Sequence, residues 1–153
     1  MANYMGFTRT NYFSVTDEEK FRQIIENSYC SEGGIEVFED DVEGEGDIKF
    51  GFGCFGSIFG FRELAEDCGF DVACDESDDE YNYDAFIEAL QSVLAQGEAI
   101  IITEVGYEKL RYLIGQSHVI TKTQGLFVNL RDGALEQARK MLADPGYKTK
   151  MDY

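Results

Sequence analysis

An α+β fold, with a mostly antiparallel sheet and helices packed on one face of a single domain, is what this chain predicts. Three features of the sequence carry that prediction. Ile48, Phe50 and Phe52 alternate with Lys49, Gly51 and Gly53, the two-residue period of a strand with one buried face. Phe21, Ile24 and Ile25, and later Phe86, Ile87, Leu90, Val93 and Leu94, recur at helical spacing. Residues 99–105 form a β-branched run that suits a central strand. The length of 153 residues is enough for one full core, and 12 Phe and 9 Tyr separate the chain from a disordered acidic polymer. The domain is expected over residues 1–145, with residues 146–153 as a flexible C-terminal tail.

Each element follows from local signals. Residues 8–15, TRTNYFSV, predict a strand. Thr16 and Glu19 have capping-box spacing, in which hydroxyl and carboxylate each satisfy an orphan backbone N–H. The helix they open should bury Phe21, Ile24, Ile25 and Tyr29, and Gly33-Gly34 should end that unit. Ile35, Val37 and Phe38 suit a short strand, paired with the one at Ile48 through an acidic, glycine-containing turn. Gly56 and Gly60 would flank a bend, residues 61–68 a short helix, and residues 69–78 an irregular loop. Ser77 and Glu80 make a second capping box for a helix over residues 79–95, with Gly97 as its stop. Residues 107–122 suit two strand segments with a bulge at Gly115, or else a helix over 107–114. Residues 126–130 suit a strand, and Asp132 suits the cap of a last helix with Leu135, Ala138, Met141 and Leu142 on its core face.

Charge is the chain's most pronounced property. The formal net charge is −17, and it is lopsided: residues 1–98 hold 24 acids and 5 bases, residues 99–153 hold 6 acids and 8 bases. Two stretches contain no base at all. Glu32, Glu36, Glu39, Asp40, Asp41, Glu43, Glu45 and Asp47 form the first; the second carries eleven acids from Glu63 to Glu88. Unpaired like charges raise the free energy of a compact state. Glu80, Asp84 and Glu88 would fall on one row of a helix, where each i, i+4 like-charge pair costs a few tenths of a kcal/mol. Surface acids that only keep a protein soluble are the competing explanation, but base-free runs suit an arrangement for a positively charged client. Direct nucleic-acid binding needs Lys and Arg to displace counterions, so it is not expected.

Other chemistries have weaker support. Asp41, Glu43, Glu45 and Asp47 with Gly46 suggest an EF-hand-like register for calcium, but the twelfth place is Phe52 where a bidentate Glu is required. Cys30, Cys54, Cys68 and Cys74 contain no Cys-x-x-Cys pair and suit free thiols; with His118 the only histidine, a zinc site would need all four thiolates. Cys54, among glycines, could be an exposed thiol, though nothing basic flanks it. His118, next to Ser117, suits a satisfied sheet residue better than a general base. No phosphate-binding loop, dinucleotide motif or nucleophile elbow is present, so no catalytic residue, cofactor or metal is assigned. No apolar run spans a bilayer and the N-terminus lacks a secretory pattern, so no membrane association and a cytoplasmic location are expected. Phe50, Phe52 and Phe55 could form either the core or a homodimer face.

The segments MANYMGFTRTNYFSVTDEEKF and ITEVGYEKLRYLIG resemble small acidic proteins of bacterial plasmids, phages and conjugative elements. The resemblance covers about a quarter of the chain and includes no catalytic motif. Acidic proteins of such elements include anti-restriction and anti-CRISPR inhibitors that imitate DNA. The base-free acidic runs, with the resemblance beside them, point to a non-enzymatic DNA mimic that inhibits a host nuclease or another nucleic-acid-binding protein. Expected contacts to that basic partner are Glu39, Asp40, Asp41, Glu43, Glu45 and Asp47 at the hairpin, with Asp75, Glu76, Asp78, Asp79, Glu80, Asp84 and Glu88 beyond it. The alternatives are an immunity or regulatory protein that neutralises a basic toxin, and a calcium- or small-molecule-binding domain.

Overall fold

The structure is a computed structural model and describes residues 4–41, 48–62, 81–110 and 112–150. It is α+β, as expected. Six antiparallel strands, β1 (Met5–Thr10), β2 (Ser28–Asp41), β3 (Ile48–Phe61), β4 (Ile100–Glu108), β5 (Tyr112–Ile120) and β6 (Gly125–Asn129), lie in the order β2-β3-β1-β4-β5-β6. Helices α1 (Glu18–Glu26) and α2 (Tyr83–Val93) pack against one face, and α3 (Leu130–Leu142) follows β6 at the far edge.

The alternation over residues 48–53 works as its period requires. Phe50 and Phe52 point into the core with Phe13, Phe21 and Phe86, their rings meeting edge-on or tilted at centroid distances of 5.5 to 6.4 Å. α1 buries Phe21, Ile24 and Ile25, and α2 buries Phe86, Ile87, Leu90 and Val93, with Leu94 buried at its C-cap. β4 is central, between β1 and β5. Phe50 and Phe52 are thus core, while Phe55, on the other side of the same strand, is 72% exposed.

Several boundaries differ from expectation. The first strand is Met5–Thr10; Phe13 and Val15 instead make isolated bridges to Phe50 and Leu94. The first cap is Asp17, whose carboxylate accepts from the Lys20 N–H. Thr16 is drawn elsewhere: its hydroxyl donates to the Val93 carbonyl and ties the entry of α1 to the end of α2. Tyr29 belongs to β2, which runs straight through Gly33-Gly34 by means of register shifts against β3. α2 starts at Tyr83 with Asn82 as its cap, accepting from the Ala85 N–H, so the helix does not begin at Asp79. Ser77 and the helix expected over 61–68 lie outside the described residues, except that Phe61 ends β3. Gly56 and Gly60 sit within β3; Gly60 takes φ +97°, and a Cβ there would lie 2.8 Å from the Asn82 carbonyl oxygen at the start of α2.

Residues 112–120 are strand, not helix, and Val105 pairs with Gly115 in unbroken register, so no bulge forms there. α3 is capped by Asn129, accepting from the Arg131 N–H, and not by Asp132. Its expected core face is not buried: no residue of α3 is, and Met141 is 87% exposed. After Pro145 the chain turns back on the helix, with Arg139 Nε donating to the Tyr147 carbonyl at 3.0 Å.

The two faces of the sheet differ. Ile100, Ile102, Glu104 and Gly106 of β4 share the helix-covered side with their partners Ile120, His118, Gln116 and Ile114. Phe7, Val105, Tyr107, Leu113 and Phe55 lie on the other side, exposed, and neither α1 nor α2 covers them. Among the described residues no helix is long and apolar enough to cross a membrane.

Candidate functional site

The acidic side chains fall on two elements. β2 is the outer strand of the sheet, paired only with β3, and Glu32, Glu36, Glu39, Asp40 and Asp41 are all exposed along it. Along β2, Ile35 and Val37 turn toward the helices and pack on the core, which puts Glu36 and Asp40 on the uncovered side around Phe38. Phe38 in turn carries the Arg9 guanidinium 4.5 Å above its ring. Glu39 faces the helices and is ion-paired to Arg22 of α1, which also holds Glu18. Asp40 stands opposite Lys49 in the ladder, but Lys49 bonds Glu98 at 3.1 Å. Asp84 and Glu88 are exposed on the outer side of α2, one turn apart.

Among the described residues, the side chains of Glu32, Glu36, Asp40, Asp41, Asp84 and Glu88 form no ion pair. The expected triplet on one helical row is reduced to Asp84 and Glu88, because α2 begins after residue 80. Glu43, Glu45, Asp47, Asp75, Glu76, Asp78, Asp79 and Glu80 lie outside the described residues. So does the calcium register beyond Asp41; its twelfth place, Phe52, is fully buried in the core and cannot serve as a ligand. Among the described residues no group of three or more His, Cys, Asp and Glu could hold a metal ion.

A polar cleft not anticipated from sequence lies on the helix side of the sheet. It has a volume of about 220 Å³, and its lining includes Thr8, Tyr83, Glu104, Gln116, His118 and Phe127. Five strands and α2 converge on it, because Thr8 pairs with Glu104, Glu104 with Gln116, and His118 with Phe127, while β3 adds Ile58. The Glu104 carboxylate accepts from Tyr4 Oη at 2.8 Å and from Ser57 Oγ at 2.5 Å. Gly106 makes room for this: a Cβ there would run into the Tyr4 ring. Burial and the neighbouring Glu104 charge push the Tyr4 phenol up to about 12, and burial likewise pushes Tyr83 to about 12, so both stay protonated at neutral pH.

His118 is held between Tyr83, whose Oη lies 2.8 Å from Nδ1, and the Phe127 ring, stacked at 4.0 Å. Burial holds its imidazole below the usual histidine value, against the opposing pull of Asp84. Ser117 points to the opposite face and pairs with Thr103 Oγ1 at 2.8 Å, so it is no nucleophile for His118. Within the cleft Tyr83 bonds His118, Tyr4 and Ser57 bond Glu104, and the Thr8 hydroxyl donates to the Gly56 carbonyl. Cys54 is buried, not exposed: burial first, and then Cys30 beside it, push its thiol up to about 12, far from a reactive thiolate.

Glu104, Tyr4, Ser57 and His118 are separated by up to 114 positions in the chain, and only sheet register brings them together. The strand periodicity of β4 and β5 was the one signal that could have placed Glu104 and His118 on a common face. No protein-family model, no curated protein and no solved structure matches this chain.

Proposed function

We propose that this chain is a non-enzymatic acidic binding protein that occupies a basic nucleic-acid-binding surface, as an inhibitor of a host nuclease of the anti-restriction or anti-CRISPR type. One observation carries this reading. The outer strand β2 presents five exposed carboxylates in ten residues, and four of them, Glu32, Glu36, Asp40 and Asp41, have no ion-pair partner among the described residues. Acids on an outer strand also deter edge-to-edge pairing between chains. Carboxylates spaced along an exposed outer strand would compete with a phosphate backbone for Lys and Arg in a groove. Electrostatic steering would speed the encounter and make it sensitive to salt.

The test is a cleavage assay on labelled duplex DNA with a panel of restriction endonucleases and RNA-guided nucleases. The wild-type chain should slow at least one of them. The triple variant Glu36→Lys, Asp40→Lys, Asp41→Lys should lose at least ~10-fold in potency, in line with the cost of placing like charges across an interface. Inhibition that survives the triple reversal, or none across the panel, refutes the proposal. Asp84→Lys with Glu88→Lys asks separately whether α2 belongs to the same surface.

A further inference from the structure

Two apolar surfaces among the described residues bear on how the molecule associates. The first is the sheet face away from α1 and α2, where Met5, Phe7, Phe55, Val105, Tyr107 and Leu113 are 38 to 72% exposed. The second is α3. Leu130, Ala134, Ala138, Met141 and Leu142 fall on one side of this helix at 3.6 residues per turn, yet none of them is buried and only Ala138 is half-buried. A 13-residue helix with an apolar stripe gains most of its stability from packing that stripe, and here the stripe meets little beyond Leu130 over Gly115.

We propose that a second copy of this chain covers both surfaces at once, with α3 of each protomer laid across the open sheet face of its partner. The area is sufficient. Counting ~200 Å² for a whole large side chain, the six sheet residues expose roughly 600 Å² and Leu130, Met141 and Leu142 roughly 400 Å² more, against ~800 Å² per partner in a standard interface.

Charge selects the orientation. β2 lies at one edge of the sheet and α3 at the other. A two-fold axis parallel to the strands sets each α3 toward the partner's β3 and β1, whose open side carries Phe55 and Phe7; an axis across the strands would set acidic β2 upon acidic β2. In the first arrangement the two acidic β2 strands lie at opposite edges of the pair and do not meet. A closed, isologous pair of this kind buries both faces with none left over for further growth.

Sedimentation velocity on the full chain tests this. At about 100 µM, far above a micromolar dissociation constant, the wild type should sediment as twice its 17.3 kDa mass. Phe55→Asp and Met141→Asp each alter an exposed side chain on a different one of the two surfaces. Each should raise the dissociation constant at least ~10-fold with an unchanged far-ultraviolet circular dichroism spectrum. A wild-type chain that stays monomeric at that concentration overturns the proposal, and so does a dimer that neither Phe55→Asp nor Met141→Asp weakens. A dimer weakened by Phe55→Asp but not by Met141→Asp overturns the role given to α3.

Discussion

Phe52 and Phe55 lie three residues apart on β3 and point to opposite faces, so truncating each in turn measures the difference between the two sides of the sheet. Phe52 has no exposed surface, and its ring meets Phe13, Phe21 and Phe86 at centroid distances of 6.2, 6.4 and 6.1 Å. Phe52→Ala removes the transfer free energy of a buried ring and leaves a cavity walled by three other rings. The expected loss is about 3–5 kcal/mol, nearer the top of that range because each aromatic pair adds ~1 kcal/mol. Phe55→Ala, at 72% exposure, should change the stability of the isolated protomer by no more than about 0.5 kcal/mol. Urea denaturation followed by circular dichroism, repeated over a dilution series to reach the monomer limit, reads both. With a slope of about 2 kcal/mol per molar for a chain of this size, the Phe52→Ala midpoint should fall by roughly 2 M. Equal losses for the two variants, or less than about 1 kcal/mol for Phe52→Ala, would refute the assignment of faces.

Further outcomes follow from the site and the caps. Burial keeps the His118 imidazole below its ordinary 6.5, so as pH falls the unfolded chain takes up that proton first. The stability tied to neutral His118 is therefore complete above 6.5 and is lost as pH drops from there through the folded value; thermal melts should show stability rising with pH across that window, and His118→Gln should flatten the rise. A rise of equal slope in His118→Gln contradicts this. Asp17→Ala should cost about 1 kcal/mol and Glu19→Ala much less, because Asp17 is the cap. In a Cys68→Ser, Cys74→Ser background, iodoacetamide should label Cys30 well before Cys54, whose thiol is buried and pushed up to about 12; equal rates would count against the packing of β3 on β1.

The parts of this fold that were legible in the sequence are those with strong local periodicity and a matching face to bury. Phe50 and Phe52 alternate because one side of β3 meets α1 and α2, and Phe86, Leu90 and Val93 recur because one side of α2 meets β3. Caps were harder, since Thr16 and Asp17 both suit the role; the choice rests on a hydroxyl being taken by the Val93 carbonyl, a contact 77 positions away. Gly33-Gly34 reads locally as the end of the first helical unit, whereas the outer strand β2 runs through it by register shifts against its one partner. α3 was legible as an amphipathic helix, but its stripe was assigned to a core that the protomer does not supply. The polar cleft was illegible, because Tyr4, Ser57, Glu104 and His118 meet only through the pairing of distant strands.

The claim on which the functional account depends is that the carboxylates of β2 are arranged for a positively charged client. Immobilising the chain, passing host lysate over it and eluting with a salt gradient tests that claim most directly. The account predicts that nucleic-acid-binding proteins are retained, that added duplex DNA or rising salt releases them, and that the Glu36→Lys, Asp40→Lys, Asp41→Lys variant retains none. Retention that ignores both salt and duplex DNA, or that is the same on the triple variant, would contradict it.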